Sequence, residues 1–255
     1  MSFVFITGST QGLGRATAQN LIEQGHQVVL HARSPERLAA VKDLIPQAAG
    51  VVIGDLSRLS DIRLVAEQVN QIGRMNAVIH NAGVYPSSGK KEIVDGYPST
   101  FMVNTVAPYL LTALIQRPER LIYLSSSMHF SGVGDIHDID WHSRPWNASE
   151  AYSESKLFAT ALAFAIARYW PNVLSHAVDP GWVPTRMGGK DAPDDLIEGY
   201  LTQCWLAVSN DDAVRISGRY WHHHECRKAS SLAYSSLLQD NLIDKLSVIT
   251  NISLF

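Results

Sequence analysis

Tyr152 and Lys156 stand four residues apart in AYSESKLFATALAFAIARY, residues 151–169. The stretch is rich in Ala and free of Pro and Gly, so it reads as one helix, and a spacing of four puts both side chains on one face. A phenol beside an ammonium is a chemically useful pair. Free tyrosine loses its proton near ~10, and a neighbouring cation stabilises the phenolate. The pair therefore predicts a Tyr152 pKa brought down toward neutrality, in a residue that gives and takes a proton. Alone, the same spacing also describes an amphipathic Tyr and a solvated Lys on an ordinary helix, so the decision rests on the rest of the chain.

A second candidate is the cluster Gly8-Ser9-Thr10-Gln11-Gly12-Leu13-Gly14, which follows the apolar run FVFIT. Glycines after a strand permit a tight turn and let backbone approach a ligand closely. The N–H groups opening the next helix then attract phosphate. The spacing is G-x-x-x-G-x-G, and an ordinary glycine turn is the competing reading.

The elements that must position these residues alternate along the chain. Strands are expected at Phe3–Thr7, Gln27–Leu30, Gly50–Ile53 and Ala77–Ile79, with helices after the glycine cluster, from Pro35 to about Ile45 and over Ser57–Ile72. Further strands are expected at Arg120–Leu124, Val173–Val178 and Ser217–Trp221. Repeated βα units with short links imply a doubly wound, Rossmann-type α/β fold: a seven-stranded parallel sheet with helices on both faces. With no linker or repeat in sight, residues 1–255 read as a single domain.

Composition narrows the function classes. A net charge of −3 gives no reason to expect nucleic acid or an anionic membrane as partner. The two cysteines, Cys204 and Cys226, lack metal-ligand spacing, and a reducing, cytoplasmic location is the simpler expectation. A strand from residue 3 leaves no room for a signal peptide, and no apolar run is long enough to span a bilayer. His129, His137 and His142 show no helical pairing, and His222-His223-His224-Glu225-Cys226 reads as a solvated turn, so no metal is expected.

Thr7-Gly8-x-x-x-Gly12-x-Gly14, Asn81-Ala82-Gly83, Tyr152-x-x-x-Lys156 and Pro180-Gly181 with Thr185 occur in this order. Together they resemble the short-chain dehydrogenase/reductase family over nearly the whole chain, within it the subgroup near retinol dehydrogenases and WW-domain oxidoreductases. The resemblance implies a catalytic set of Asn104, Ser126, Tyr152 and Lys156, with Ser126 favoured over Ser125 and Ser127. It implies cofactor contacts from Gly8, Ser9, Thr10, Gln11, Gly12, Leu13 and Gly14, from Asp55 and Leu56, and from Asn81, Ala82 and Gly83. Tyr152, Lys156, Pro180, Gly181, Val183 and Thr185 complete that set. Asp55 also fits a helix cap before Ser57, and a buried Asn104 needs partners in any fold. His80 reads as a packed strand-end residue. An insert at 127–150 and a mobile flap at 186–208 are implied beside the substrate, with Trp182 and Trp205 suggesting an aromatic wall.

Family members that prefer NAD end the second strand with an acid that takes both ribose hydroxyls. Here Ala32 holds that position and Arg33-Ser34 follow. With no carboxylate to repel a 2′-phosphate and a guanidinium to pair with it, NADP is the expected cofactor and NAD the less favoured one. The expected function is hydride transfer between nicotinamide and a carbonyl or alcohol. A non-catalytic dinucleotide-binding regulator on the same fold is the alternative, and a glycine-loop methyltransferase is a distant third. Ala159, Ala161, Ala163, Ala165 and Ala167 spread small residues all round the central helix. Such a helix is covered on every side, and the matching helix of relatives pairs with its copy, so a homodimer or homotetramer is expected.

Overall fold

Whereas GVVI, at the sheet edge, is mostly half-buried, the runs FVFI, QVVLHA and AVIH are mostly buried on both faces rather than on alternate residues. That is the signature of a parallel sheet covered on both sides. In the structure, a computed structural model describing residues 1–86 and 88–254, they are β1 (Phe3–Ile6), β2 (Gln27–Ala32), β3 (Gly50–Ile53) and β4 (Ala77–His80). The helices α1 (Gly12–Glu23) and α2 (Leu59–Ile72) connect them. A small hairpin, β5 (Ile93–Val94) and β6 (Tyr97–Pro98), precedes α3 (Ser99–Phe101), a π turn at Met102–Val106 and α4 (Ala107–Leu114). Then come β7 (Arg120–Leu124), α5 (Ala148–Tyr169), β8 (Leu174–Asp179), α6 (Leu196–Val208), β9 (Arg219–His222), β10 (Glu225–Arg227), α7 (Ser231–Tyr234) and α8 (Ser236–Thr250).

The sheet order is β10-β9-β8-β7-β4-β1-β2-β3. Seven strands run parallel as expected, and β10 adds an eighth, antiparallel to β9. Order reverses between β1 and β4, the crevice where doubly wound sheets bind their ligands. The stretch expected to be a solvated turn is the tight link of that added hairpin: His223 and His224 adopt positive φ (47° and 63°) to reverse the chain. Pro35–Val41 and Ile45–Gln47 are 3-10 turns rather than one helix. Pro46 interrupts the run, because it lacks an N–H and disfavours helical backbone at the residue before it.

Two other expectations change. Only 186–195 of the proposed flap lacks a helix; the remainder is α6, locked on α1 by Gln203 Nε2 donating to Thr17 Oγ1 (2.6 Å). Helix α5 starts three residues early because the Asn147 side chain caps it, accepting from the N–H groups of Ser149 and Glu150. Residues 151–166 are all buried. Their outer cover is the chain's own C-terminal segment: Leu242, Ile243 and Leu246 join the α5 core cluster, and Tyr234 stacks on Phe164 at 4.7 Å.

Candidate functional site

The glycine loop is shaped by positions that only glycine fills. Gly8 and Gly12 have φ of +65° and +53°, and a Cβ on Gly14 would lie 2.4 Å from both Gly8 O and Asn81 Nδ2. Asn81 Nδ2 donates to Thr7 O (2.9 Å), and the Ala82 N–H donates to Thr7 Oγ1 (2.9 Å), which ties the ends of β1 and β4 together. Among the described residues, buried Asn81 Oδ1 has no partner. Ser9 points inward: its Oγ accepts from His31 N–H (2.8 Å).

His31 is a site residue that the sequence did not signal. Gly8 N–H donates to its Nδ1 (2.9 Å), so Nε2–H donates to Gly54 O (3.0 Å). Burial pulls its pKa down to about 4, against a smaller opposing effect of the hydrogen bond it donates to Gly54 O, so the ring stays neutral and braces the loop. A histidine in a strand looks like core, and only the folded neighbours reveal the brace.

At the end of β2, Arg33 is exposed and lines the cavity together with Arg37 and Arg58. Ser34 does not join them, because its hydroxyl bonds Glu36. Asp55 lines the cavity beside Leu56, but it does not cap α2, whose N-cap position is Arg58; its Oδ1 closes a local turn by accepting from Ser57 N–H (3.0 Å) and Ser57 Oγ (2.8 Å).

The other half of the site grows from β7 and α5. Ser125 is occupied, its Oγ 2.7 Å from Thr160 Oγ1 in the core. Ser127 is exposed, whereas the Ser126 hydroxyl hydrogen-bonds the Tyr152 hydroxyl. The Ser126 backbone is held in turn by His129, whose Nδ1–H donates to Ser126 O (2.7 Å) while Nε2 accepts from Ser230 N–H (2.9 Å). Asn104 sits in the π turn and braces two elements. Its Nδ2 donates to Val84 O (3.0 Å) and Ser155 Oγ (2.9 Å), and its Oδ1 accepts from Val84 N–H (2.8 Å).

Tyr152 and Lys156 are both buried. Lys156 Nζ donates to Leu124 O (2.8 Å) and lies 5.6 Å from the Tyr152 ring centre. The expected lowering of the Tyr152 pKa is not found. Burial is the largest influence and pushes it well up; the Ser126 hydrogen bond opposes this weakly, while Asp179 and Tyr85 reinforce it. Burial also lowers the Lys156 pKa to about 8, with the Asp179 charge opposing. Tyr85 closes over the pair, its ring edge-on to Tyr152 at 5.0 Å.

Beyond β8, Gly181 takes a φ of +81° and its N–H donates to Asp179 Oδ1 (3.0 Å). Val183 is buried beneath the turn, and Thr185 abuts the glycine loop, its Cγ2 3.3 Å from where a Gly12 Cβ would lie. Trp182 is exposed, its Nε1 donating to Gly188 O (2.7 Å). Trp205 is not part of the site: it packs on Trp221 at 5.1 Å behind the sheet. The insert is anchored where Arg144 pairs with buried Glu154 of α5 and stacks on Trp141 at 3.8 Å. Lys91 Nζ donates to Trp141 O (2.9 Å), tying the insert to the loop after β4.

One cavity of about 910 Å³ joins most of these groups. Gly8, Thr10, Gln11, Gly12, Leu13 and Gly14, then Arg33, Asp55 and Leu56, then Asn81, Ala82 and Gly83 line it continuously to Tyr152, Lys156, Pro180 and Thr185. Ser9, Ser34, Asn104, Ser126, Gly181 and Val183 are not among the residues that line it. A long groove with a phosphate-type cradle at its middle and a phenol–ammonium pair at one end fits a nicotinamide dinucleotide.

The comparisons with known proteins agree. The profile of the short chain dehydrogenase family matches residues 2–195. Short-chain dehydrogenase chry4 of Gibberella zeae is 40% identical over 224 residues, covering 87% of this chain and 86% of its own. Retinol dehydrogenase 14 of Mus musculus is 30% identical, covering 86% of this chain and 76% of its own. A blue fluorescent protein from a metagenomic library, solved in complex with NADPH, shares the fold at a TM-score of 0.69 and 19% identity, over 86% of this chain and 94% of its own.

Proposed function

Because the chain belongs to the short-chain dehydrogenase family and is an enzyme of it, we propose that it is an NADP(H)-preferring oxidoreductase interconverting a carbonyl and an alcohol, with Tyr152 handling the proton. The observation that carries this reading is the meeting, in one cavity, of the glycine loop and the Tyr152–Lys156 pair. When bound, the nicotinamide gives or accepts the hydride. The chain's residues do the rest. The N–H groups at the start of α1 attract the phosphates, Asp55 and Leu56 border the adenine, and Asn81, Ala82 and Gly83 border the middle of the groove. Pro180, Gly181, Val183 and Thr185 form the nicotinamide end. Lys156 holds the ribose. Ser126 donates to the substrate oxygen, and Tyr152, kept protonated by its burial, supplies the proton in reduction. Asn104 spends three of its hydrogen bonds bracing Val84 and Ser155, which leaves one Oδ1 lone pair for a water leading away from Lys156. Turnover of NADPH with a panel of ketones and aldehydes tests the reading, and a chain that binds NADPH but turns over none of them contradicts it.

The cofactor preference rests on the end of β2. Ala32 is buried, and Arg33, Arg37 and Arg58 line that end of the groove. A charged hydrogen bond to a 2′-phosphate contributes about 1.5–3 kcal/mol, or roughly tenfold to a hundredfold in affinity. Arg33→Ala is therefore expected to lower the NADPH/NADH ratio of kcat/KM by that factor. A wild type favouring NADH, or a ratio unmoved by the substitution, contradicts the assignment.

Helix α5, whose need for cover predicts a homodimer or homotetramer, is packed against α7 and α8 of the same chain. The expected result at micromolar concentration is thus sedimentation with the mass of one chain; a stable dimer with α5 protected at its interface overturns this. Cys204 and Cys226 are free thiols, which supports a cytoplasmic location. Among the described residues no helix is long and apolar enough to cross a membrane.

A further inference from the structure

The ends of β7 and β8 lie side by side. Leu124 pairs with Val178, and Ser125 N–H donates to Val178 O (2.7 Å), so Ser126 and Asp179 leave the sheet as neighbours. Asp179 is only 5% exposed, yet it is not required by the chemistry already described. Its two oxygens are separately engaged. Oδ1 accepts from Gly181 N–H (3.0 Å), and Oδ2 accepts from Tyr220 Oη (3.0 Å).

We propose that Asp179 is a positioning residue with two roles: its carboxylate sets the proton affinity of the Tyr152–Lys156 pair, and its Oδ1 holds the Pro180–Gly181 turn at the nicotinamide end. This rests on the enzymatic reading above. A buried ammonium with only a carbonyl partner is unstable without a counter-charge. Asp179 is the opposite charge that bears on Lys156, and it favours the neutral form of Tyr152 as well. The other titratable and charged groups around it are few. His222 of β9 donates from Nδ1 to Asp179 O (3.2 Å) and lies 3.8 Å from Oδ2. His223 stacks on His222 and donates to Pro180 O. His129 packs on Tyr220 and feels the Asp179 charge. Arg227 of β10 acts on Tyr220, and Asp194 accepts from Trp182 N–H. Lys156 of α5 reaches Leu124 O (2.8 Å), and Leu124 is paired across the sheet with Val178, the residue before Asp179.

The sign follows from the charge. A carboxylate favours the protonated forms of both lysine and tyrosine, so its removal lets both lose protons at lower pH. Asp179→Asn keeps an oxygen to accept from Gly181 and removes the charge. Two readouts are taken. The first follows the Lys156 Cε–Hε signal of ε-13C-lysine-labelled, ligand-free protein against pH, assigned with Lys156→Arg. The second is the alkaline limb of kcat/KM for carbonyl reduction, which reports groups of the free enzyme. The wild-type Lys156 midpoint is expected near 8. In Asp179→Asn both readouts are expected to move down by about one pH unit, and Asp179→Glu to bring them back toward wild type. An unmoved midpoint in a folded Asp179→Asn variant overturns the proposal. If Asp179→Asn does not fold, Tyr220→Phe decides, because it removes a partner of Asp179 and keeps the charge. The midpoint then stays at or above the wild-type value, and a fall overturns the proposal. The NMR arm needs no turnover, so an absence of carbonyl reductase activity defeats the functional reading without touching this one.

Discussion

Tyr152→Phe is expected to lower kcat for carbonyl reduction by about 10²–10⁴-fold, the usual contribution of a positioned proton donor. NADPH affinity should stay unchanged. The substitution removes one hydroxyl and keeps the ring, so the edge contact with Tyr85 and the burial of the side chain persist. The pH dependence sharpens the test. Burial is the main reason that the phenol holds its proton, with Asp179 and Tyr85 adding to it and Ser126 opposing. The proton donor of the ligand-free wild type is thus intact through neutral pH, and loss of rate begins only near 8, where Lys156 releases its proton. Stopped-flow single turnovers with NADPH measure the size, and the pH dependence of kcat/KM, which reports the free enzyme, gives the profile. A Tyr152→Phe variant with near wild-type rates ends the proton-donor assignment.

Gly14→Ala is expected to weaken NADPH binding by about a hundredfold. Helix propensity alone favours Ala here by up to ~1 kcal/mol, so any loss must come from contact. The added carbon would stand 2.4 Å from Gly8 O and from Asn81 Nδ2. Neither can yield cheaply: Gly8 N–H is fixed by His31, and Asn81 Nδ2 joins β4 to Thr7 O. Overpacking of this kind costs about 1–3 kcal/mol, and each 1.4 kcal/mol is tenfold in affinity. Quenching of protein fluorescence by NADPH gives the Kd, and thermal melting separates lost binding from lost fold. Wild-type affinity in Gly14→Ala would remove the glycine loop as the phosphate seat.

The features legible in the sequence are those with a local cause. β1, β4 and β7 are short apolar runs bounded by turn residues, and α5 is a long Ala-rich run without breakers, so each declares itself within its own window. The resemblance carried by the ordered motifs implied one site for Tyr152, Lys156 and the glycine loop, and one cavity joins them. What escaped depends on distant partners. β10 is three exposed residues that become a strand only by pairing with β9. Trp205 looked like a pocket wall, yet Trp221 and His224 of the β9–β10 hairpin claim it. His31 braces the loop through Gly8 and Gly54, residues from two other links. The rise in the Tyr152 pKa escaped for the same reason: a helix face gives the Tyr–Lys spacing, whereas the burial that outweighs it comes from the whole fold.

The cover on α5 has a consequence for biosynthesis. A ribosome releases residues 148–169 well before residues 231–254, which close over them. Until then Phe164, Leu162 and Ile166 have no cover from the C-terminal helices, and the helix that bears Tyr152 and Lys156 lacks one wall. The last steps are also tied to the far end of the chain: Tyr109 Oη donates to Ile252 O (2.8 Å), and Arg63 bonds Thr250 O. Helix α5 therefore matures only once residues 231–254 have emerged, and a nascent chain stalled short of α8 presents an apolar surface to chaperones.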